Sequence, residues 1–372
     1  MKLSCSKELL NEGLSMVGRT VSARTPLPIL ECILLIADEN GLKLVANDLE
    51  MSIETSYFDA TVDEAGKVAL EAKLFSEIIR KMPDSDILIE VAENNETTCK
   101  SGKARFKIMG MPADEFPIMP EVEKEKSHTI QAKELKEMIR QTIFSVATDD
   151  TKPVLTGELI QYRDNALNVV AVDGFRISYR KVELPESDEE TENTSIVVPA
   201  KALHEISRIL PVDTEDEVTF SFSDKRIVFE LPRFKFISRL IEGEFIRYDQ
   251  IFNEDFATNV TVDRQVFLSG LERSTLVARD SKKTPVKLDI GEQSIIITAN
   301  TETGTSYDEI PALVDGNTLE IAFNPKYLID ALKVIDENQI IARFTTGLSP
   351  CIIRGVESDN AKYLILPLRL RG

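Results

Sequence analysis

The sequence predicts an α+β fold in which one repeat, made of two helices packed on antiparallel sheets, occurs three times along the chain. Three observations carry this prediction. The 372 residues are too many for one ordinary domain. Similar pieces recur at intervals near one third of that length, which is the signature of internal repetition. Helical and alternating apolar patterns also follow one another in the same order within each third.

Each repeat begins with an amphipathic helix, followed by a polar loop that contains proline and by a strand. The three helices are predicted at residues 9–17, 135–146 and 266–277, and the loops and strands at 24–30, 150–155 and 283–288. The next common piece is a strand that ends in a short polar turn, at residues 42–48, 167–173 and, in diverged form, 295–300.

A second helix follows in each repeat, at residues 71–82, 199–210 and 325–335. The first of these has an apolar stripe at helical spacing. Pro199 and Pro325 are predicted at the first helical position, where the missing N–H costs nothing, and Asn324 is a suitable N-cap. Short alternating strands are predicted at residues 86–91, 218–222 and 340–344.

The repeats predict domains at residues 1–122, 129–247 and 251–372, with linkers at 121–127 and 243–255. Residues 183–193 are acidic and poor in apolar side chains, so this run is predicted to be a solvated loop.

No targeting or membrane segment is recognisable in the sequence. No apolar run reaches the roughly 18 residues that a membrane-spanning helix needs, and the first residues have no apolar core or cleavage site of a signal peptide. We therefore expect a cytoplasmic protein with no membrane partner.

The cysteines and histidines argue against a metal or redox centre. The four cysteines are scattered without a CxxC pair, so reduced and buried thiols are expected at Cys5, Cys32, Cys99 and Cys351. His128 and His204 are the only histidines, and neither lies near a zinc or catalytic-triad motif. His204 is expected on a helix surface. No cofactor is predicted.

The net charge of −19 opposes binding to nucleic acid, unless positive charge is concentrated on one surface. The six predicted helices sum to +5 (0 for residues 7–19 and +1 for each of the other five), which leaves −24 on the rest of the chain. Four helices repeat a basic residue, an acid at +4 and a base at +7, all on one face. This pattern fits either a solvated face with internal ion pairs or loose, sequence-independent contact with phosphates.

Several short motifs, in this order and spacing along the whole chain, resemble the bacterial DNA polymerase III beta subunit family, the sliding clamps. The motifs are TPLPIL at 25–30, NDLEM at 47–51, DGFRI at 173–177 and YLILPLRL at 363–370. The resemblance implies a head-to-tail homodimer whose six domains form a ring around duplex DNA, with helices lining the hole. It also implies no reaction, a clamp loader that opens the ring, and docking of the polymerase III catalytic subunit and other proteins through short peptides.

The family's peptide pocket lies between the second and third domains. By motif, it falls on Leu155, Val172, Gly174, Phe175, Arg176, Ile177, Leu364, Leu366, Pro367, Leu368 and Arg369. Ile246 and Ile251 follow the turn at 243–245 and are expected to join them. Aliphatic walls suit apolar peptide anchors, with Arg176 and Arg369 expected at the rim. The alternative is that some of these side chains, such as Leu155 and Ile177, are ordinary core. Ile246 stands where the family often has proline, Val172 where a small polar residue is common, and Arg371 and Gly372 run past the usual apolar ending.

The expected DNA contacts combine the helix pattern with the resemblance. Arg24 matches a position that touches DNA in the family, and Lys282 and Lys283 occupy the equivalent loop of the third repeat. The helices contribute Lys73, Arg80, Lys136, Arg140, Lys201 and Arg208.

Two other classes of protein compete with this interpretation. A repeat scaffold that binds proteins but not DNA is favoured by the acidic charge. An enzyme would use Asp48, Glu50 and Asp173 as paired carboxylates, but no phosphate-binding loop, metal cluster or nucleophile motif accompanies them.

Overall fold

The computed structural model describes residues 1–22, 25–118, 127–149, 151–184, 193–212, 215–252, 255–278 and 285–369. The chain divides into two compact bodies. The first body contains residues 1–133 and 204–240, and the second contains residues 134–203 and 241–372. The second repeat thus contributes residues to both bodies. Its strands belong to two different sheets.

The described residues contain six α-helices and twenty-six strands, numbered in chain order. The helices α1–α6 are Lys7–Val17, Ala72–Lys81, Ala132–Thr142, Ala200–Ile209, Arg264–Ser274 and Pro325–Val334. The strands β1–β13 are Lys2–Cys5, Cys32–Asp38, Gly41–Asn47, Met51–Thr55, Ala60–Glu64, Gly66–Glu71, Ile87–Val91, Glu96–Ser101, Ala104–Met109, Ser127–Gln131, Gly157–Arg163, Ala166–Val172 and Arg176–Glu183. The strands β14–β26 are Thr194–Pro199, Glu217–Phe222, Arg226–Leu231, Phe234–Arg239, Thr258–Asp263, Val286–Ile290, Ser294–Thr301, Gly304–Pro311, Leu313–Gly316, Leu319–Phe323, Gln339–Phe344, Cys351–Gly355 and Ala361–Ile365.

The first body contains a five-stranded sheet, β5-β1-β7-β8-β9, and an eight-stranded sheet, β10-β15-β16-β17-β4-β3-β2-β6. In the larger sheet, β17 of the second repeat pairs antiparallel with β4 of the first, with Phe236 opposite Ile53. The two repeats thus share one hydrogen-bonded sheet. Leu10, Phe75 and Ile79 are fully buried on the helices of this body.

The second body contains a nine-stranded sheet, β14-β11-β12-β13-β26-β25-β24-β18-β22, and a four-stranded sheet, β21-β20-β19-β23. Here β13 of the second repeat pairs antiparallel with β26 of the third, with Ser178 opposite Tyr363. Leu271 of α5 and Leu332 of α6 are buried in one apolar cluster with Phe323.

Two helices were predicted to begin at a proline, and one of them does. The side chain of Asn324 accepts a hydrogen bond from the backbone N–H of Lys326, and Pro325 is the first residue of α6, as predicted. The prediction that Pro199 begins a helix is wrong, because Pro199 is the last residue of β14 and α4 begins at Ala200. As β14 is an edge strand, proline removes no hydrogen bond that the sheet requires.

Two equivalent helices pack closely on their sheets at a glycine, where any larger residue would displace a side chain of the sheet. A Cβ atom on Gly13 of α1 would lie 2.9 Å from Leu44 Cδ1, and one on Gly270 of α5 would lie 2.9 Å from Ile297 Cδ1. The shared position of these glycines reflects the repeat in three dimensions.

All four cysteines are buried and unpaired, which confirms the prediction of reduced thiols. Burial raises the pKa of Cys32 to about 11 and the pKa values of Cys5 and Cys99 to about 12.

Candidate functional site

The NDLEM and DGFRI motifs form the same turn in the first and second repeats. Asp48 Oδ1 accepts hydrogen bonds from the backbone N–H groups of Glu50 and Met51, at 3.0 and 2.8 Å. Asp173 Oδ1 accepts from those of Phe175 and Arg176, at 2.9 and 3.1 Å. Both carboxylates therefore close turns between strands, which explains them without catalysis.

The middle residue of each turn has a left-handed backbone, with φ 74° at Leu49 and φ 87° at Gly174. Glycine adopts this conformation without strain, whereas leucine does not. The turn of the second repeat is thus the relaxed version, and it leaves Phe175 55% exposed beside the strand ends.

An apolar cluster lies at the end of the nine-stranded sheet where β12 and β26 finish and β13 begins. Four of the predicted pocket residues, Leu155, Val172, Ile177 and Leu364, are buried in it, and Ile246 packs against it half-buried. The structure therefore brings these five side chains together. Ile251 is 39% exposed and is not a member of the cluster.

The C-terminal segment after β26 is held at the edge of this cluster by two backbone hydrogen bonds. Leu366 N–H donates to Phe175 O at 2.9 Å, and Leu368 N–H donates to Ala322 O at 2.7 Å. The side chains of Leu366 and Leu368 remain 38% and 36% exposed. Pro367 lies between them half-buried, and Arg369 is exposed. An apolar floor with exposed apolar side chains on two sides is suited to binding an extended peptide.

The prediction that Arg176 lies at the rim is wrong, because its side chain is only 7% exposed. Its guanidinium makes ion pairs with Asp173 at 2.9 Å and Asp330 at 2.7 Å, and lies 4.6 Å from the ring centroid of Tyr327. Successive side chains of a strand point to opposite faces, so Arg176 points away from the face that Ile177 buries in the apolar cluster. Arg176 anchors α6 beneath the turn.

Several residues of this region were not recognised in the sequence. The apolar cluster also contains Tyr248 and Ile352, and Val154 and Phe245 pack against it. Leu348, which is 74% exposed, lies in the loop before Cys351, and Cys351 pairs with Ile365 at the same end of the sheet. The one sequence signal for any of them was that Tyr248 follows Ile246 closely in the segment GEFIRY at 243–248, which places it near the predicted pocket.

The basic helix faces have different partners in different helices. Arg140 of α3 makes ion pairs with Glu137 and, at 2.8 Å, with Asp336. Arg208 of α4 makes an ion pair with Glu205 at 3.0 Å. The internal pairing that the sequence left open therefore occurs on these two helices.

On α2, Lys73 and Arg80 are exposed, and no ion pair is formed by either within the described ranges. Lys136 is half-buried on α3 and Lys201 is exposed on α4. His204 is exposed on α4, as expected. Arg24, Lys282 and Lys283 lie outside the described residues.

The part of the chain that the structure describes contains no group of three or more histidine, cysteine or acidic side chains suited to hold a metal ion. It also contains no helix that is long and apolar enough to cross a membrane.

Comparison with known proteins gives one consistent result. Family models of the DNA polymerase III beta subunit match residues 1–120 (N-terminal domain), 129–246 (central domain) and 249–369 (C-terminal domain). The beta sliding clamps of Bacillus subtilis and Halalkalibacterium halodurans are 34% and 33% identical to the chain, with 99% of this chain and 100% of each relative covered.

Solved structures agree over the full length. The DNA polymerase sliding clamp from Bacillus subtilis has a TM-score of 0.95 at 34% identity, and a structure described as a DNA polymerase III beta subunit from Eubacterium rectale has 0.95 at 40%; both comparisons cover 100% of each chain. A sliding clamp from Pseudomonas aeruginosa, solved bound to griselimycin, has 0.93 at 26% identity, also with 100% of each chain covered.

The fold and these matches define the class of protein, a DNA sliding clamp that confers processivity in replication and catalyses no reaction. Three family models together cover nearly the whole chain. The chain belongs to the DNA polymerase III beta subunit family.

Proposed function

We propose that two copies of this chain close head-to-tail into a six-domain ring around duplex DNA, in the cytoplasm. In this proposal a clamp loader opens the ring, and the polymerase III catalytic subunit and other proteins dock by short peptides in the apolar pocket. The observation that carries the docking role is the apolar cluster at the end of the nine-stranded sheet, flanked by exposed Phe175, Leu366 and Leu368. The Pseudomonas aeruginosa clamp bound to griselimycin supports a ligand-binding surface in the family.

Two edge strands support ring closure, one in each body. On β9, Phe106 is 42% and Met109 64% exposed. On β21, Tyr307 is 67% exposed. Edge strands with exposed apolar side chains are prone to pair with another chain, so soluble proteins cover them.

The charges near these two edges are opposite. The strands and turn at residues 100–107 carry Lys100, Lys103, Arg105 and Lys107, whereas residues 302–309 carry Glu302, Asp308 and Glu309. Lys100, Lys107 and Asp308 form ion pairs with Glu90, Glu96 and Arg273, which leaves Lys103 and Arg105 on one edge and Glu302 and Glu309 on the other. A contact between unlike edges would bring opposite charges together, and a contact between like edges would bring like charges together. Charge therefore favours head-to-tail pairing.

The proposed DNA contacts are the basic side chains of the helices, with Lys73 and Arg80 of α2 the most available. Arg208 and Arg140 share their charge with carboxylates, so we assign them a weaker role. Arg24, Lys282, Lys283, Lys136 and Lys201 complete the proposed set. A small excess of positive charge suits a ring that slides without reading sequence.

Encirclement is tested with a nicked circular duplex. Protein loaded on the circle with a clamp loader should co-elute with the DNA in gel filtration, and should be released when a restriction enzyme linearises it. A ring that slides off ends explains this difference, whereas a surface binder gives equal retention on circular and linear DNA. Equal retention would contradict the proposal and favour a scaffold that does not encircle DNA.

A further inference from the structure

Ile246 forms one wall of the proposed pocket, and this wall is part of no sheet. It belongs to the segment between Gly243 and Phe252, which joins the second repeat to the third. Among the described residues, the backbone hydrogen bonds of this segment are made within it, from Tyr248 N–H to Ile246 O and from Ile251 N–H to Tyr248 O, each at 2.9 Å. The last backbone bond to a strand before the segment is from Ile241 N–H to Val197 O, so beyond Ile241 side chains attach the segment to the body.

The first attachment is the phenol of Tyr248. Its hydroxyl donates to Gln161 Oε1 of β11 at 2.8 Å, and its ring centroid lies 5.9 Å from that of Tyr179 on β13. The side chain is 6% exposed. Burial raises the pKa of Tyr248, so the hydroxyl remains a donor at physiological pH.

The acceptor for this hydroxyl is itself oriented. Gln161 Nε2 donates to Ser195 Oγ on the neighbouring strand β14 at 2.9 Å. With the amide nitrogen engaged there, the amide oxygen faces Tyr248. A strand–strand contact thus fixes the direction of the bond to the segment.

The second attachment is an ion pair next to the first. Asp249 Oδ2 lies 3.1 Å from Arg163 Nη1. Gln161 and Arg163 are two residues apart on β11, so their side chains lie on the same face of the sheet. Because both members of the pair are about half exposed, solvent screens it, and it should contribute less than the phenol.

We propose that Tyr248, with Gln161 and the Asp249–Arg163 pair, is a positioning residue that holds Ile246 in place before a peptide arrives. The inference rests on the proposed peptide-docking function. Tyr248 is two residues from Ile246 and joined to it by a backbone hydrogen bond, so loss of the phenol's hydrogen bond loosens this wall, which Phe245 and Phe252 still hold by packing against the apolar cluster. A wall that must be ordered during binding reduces affinity, because the ordering cost is then part of the binding free energy.

The test uses the full-length protein and a fluorescein-labelled octapeptide in which two leucines and one phenylalanine are separated by serine and glutamine. Tyr248→Phe removes the hydroxyl and keeps the ring. We expect the Kd for the peptide to rise roughly three- to tenfold, the range that one hydrogen bond supplies. The matched control is Tyr162→Phe on β11, the strand that carries Gln161. It removes a hydroxyl that donates to Asn165 Oδ1 at 2.9 Å, and the ring of Tyr162 is as buried as that of Tyr248. It should change the Kd by less than about twofold.

Coupling separates positioning from general stability. Ile246→Ala should weaken peptide binding strongly in the wild-type background and distinctly less in the Tyr248→Phe background. The reason is that the Tyr248→Phe protein no longer holds Ile246 in place, so less is lost when its side chain is removed. Additive effects of the two substitutions, or equal peptide affinity of Tyr248→Phe and wild type, would overturn the inference.

The ion pair provides an independent test. Arg163 also pairs with Asp164 at 3.2 Å, so the two carboxylates are removed separately. Asp249→Asn should weaken peptide binding about twofold, whereas Asp164→Asn should leave it unchanged. Equal peptide affinity of Asp249→Asn and the wild type would contradict the role of the Asp249–Arg163 pair. If the wild-type protein does not bind the octapeptide at all, the proposed docking function fails instead.

Discussion

At the scale of single residues, the most unusual group is Glu158 on β11. Its carboxyl group is completely buried, and neither oxygen has a hydrogen-bond partner among the described residues. The neighbouring hydroxyl of Thr142 donates to Met138 O at 2.7 Å instead. Desolvation raises the pKa of Glu158 to about 8, so the group is protonated in the folded protein near neutral pH.

This burial predicts a pH-dependent stability. The pKa is raised from 4.5 to about 8 on folding, so the unfolded chain loses this proton first as pH rises. The contribution of Glu158 to the free energy of unfolding is fully present below pH 4.5 and is lost as pH rises towards 8. Between these pH values the free energy of unfolding falls by up to about 1.4 kcal/mol per pH unit. Glu158→Gln should remove this slope, which urea unfolding between pH 5.5 and 8.5 would measure.

The control for this prediction is Glu217→Gln, which removes one exposed carboxylate from the same repeat. It should leave the difference in unfolding free energy between pH 5.5 and 8.5 close to that of the wild type. If Glu158→Gln shows the wild-type slope, Glu158 is ionised in the folded state and the assignment is wrong.

At the scale of elements, helices could be predicted closely, because their apolar periods and caps are local signals. The strands predicted directly after the proline loops of the first two repeats were wrong: residues 28–31 and 153–156 form 3-10 turns, and the strands begin at Cys32 and Gly157. The second helix of the first repeat was predicted at residues 71–82 and is Ala72–Lys81. Long-range contacts carry no such signal. The rim assignment of Arg176 failed because its partner Asp330 is 154 residues away. The hydrogen bond of Tyr248 could not be predicted for the same reason, since its partner Gln161 is 87 residues away.

The edge strand β9 gives a prediction at this scale. Phe106→Glu places a negative charge on an exposed apolar position that meets the acidic edge of the partner chain in the proposed interface, so the dimer should dissociate to monomers of 41.7 kDa at micromolar concentration. Light scattering coupled to gel filtration measures the mass. Val356→Glu, at a similarly exposed apolar position after β25, should remain a dimer. A dimeric Phe106→Glu protein would exclude β9 from the interface.

The C-terminal segment gives a second prediction for an element. Deleting the chain from Leu366 onward removes the two backbone bonds to Phe175 and Ala322 and two exposed leucines of the pocket. Peptide affinity should fall below detection, since each buried leucine anchor contributes roughly 1.5–3 kcal/mol. The dimer should persist, because β9 and β21 are untouched. Peptide binding equal to that of the full chain would remove this segment from the site.

At the scale of the whole molecule, the sequence predicted three repeats, and the fold class is confirmed by the matched family domains. It did not predict that the second repeat would contribute strands to two sheets. The pairings of β17 with β4 and of β13 with β26 join different repeats, and strand patterns alone do not specify such partners. The proposed pocket lies at one of these pairings, so its position depends on a contact that the sequence does not encode locally.

The charge distribution of the whole molecule leads to the last prediction, which separates affinity from retention. Each phosphate contact that a basic side chain makes releases counterions, so equilibrium binding falls steeply with salt. Replacing Lys73 and Arg80 by alanine should therefore weaken binding to short linear duplexes. It should also reduce the slope of log K against log salt by about 0.9 per lost contact. On a nicked circle the same double variant should remain bound as long as the wild type, because leaving a closed ring requires opening an interface and not breaking phosphate contacts. Fluorescence anisotropy gives the first quantity and gel filtration of the loaded circle gives the second. Parallel losses in both would mean that the chain of net charge −19 is held on DNA by these contacts and not by its topology.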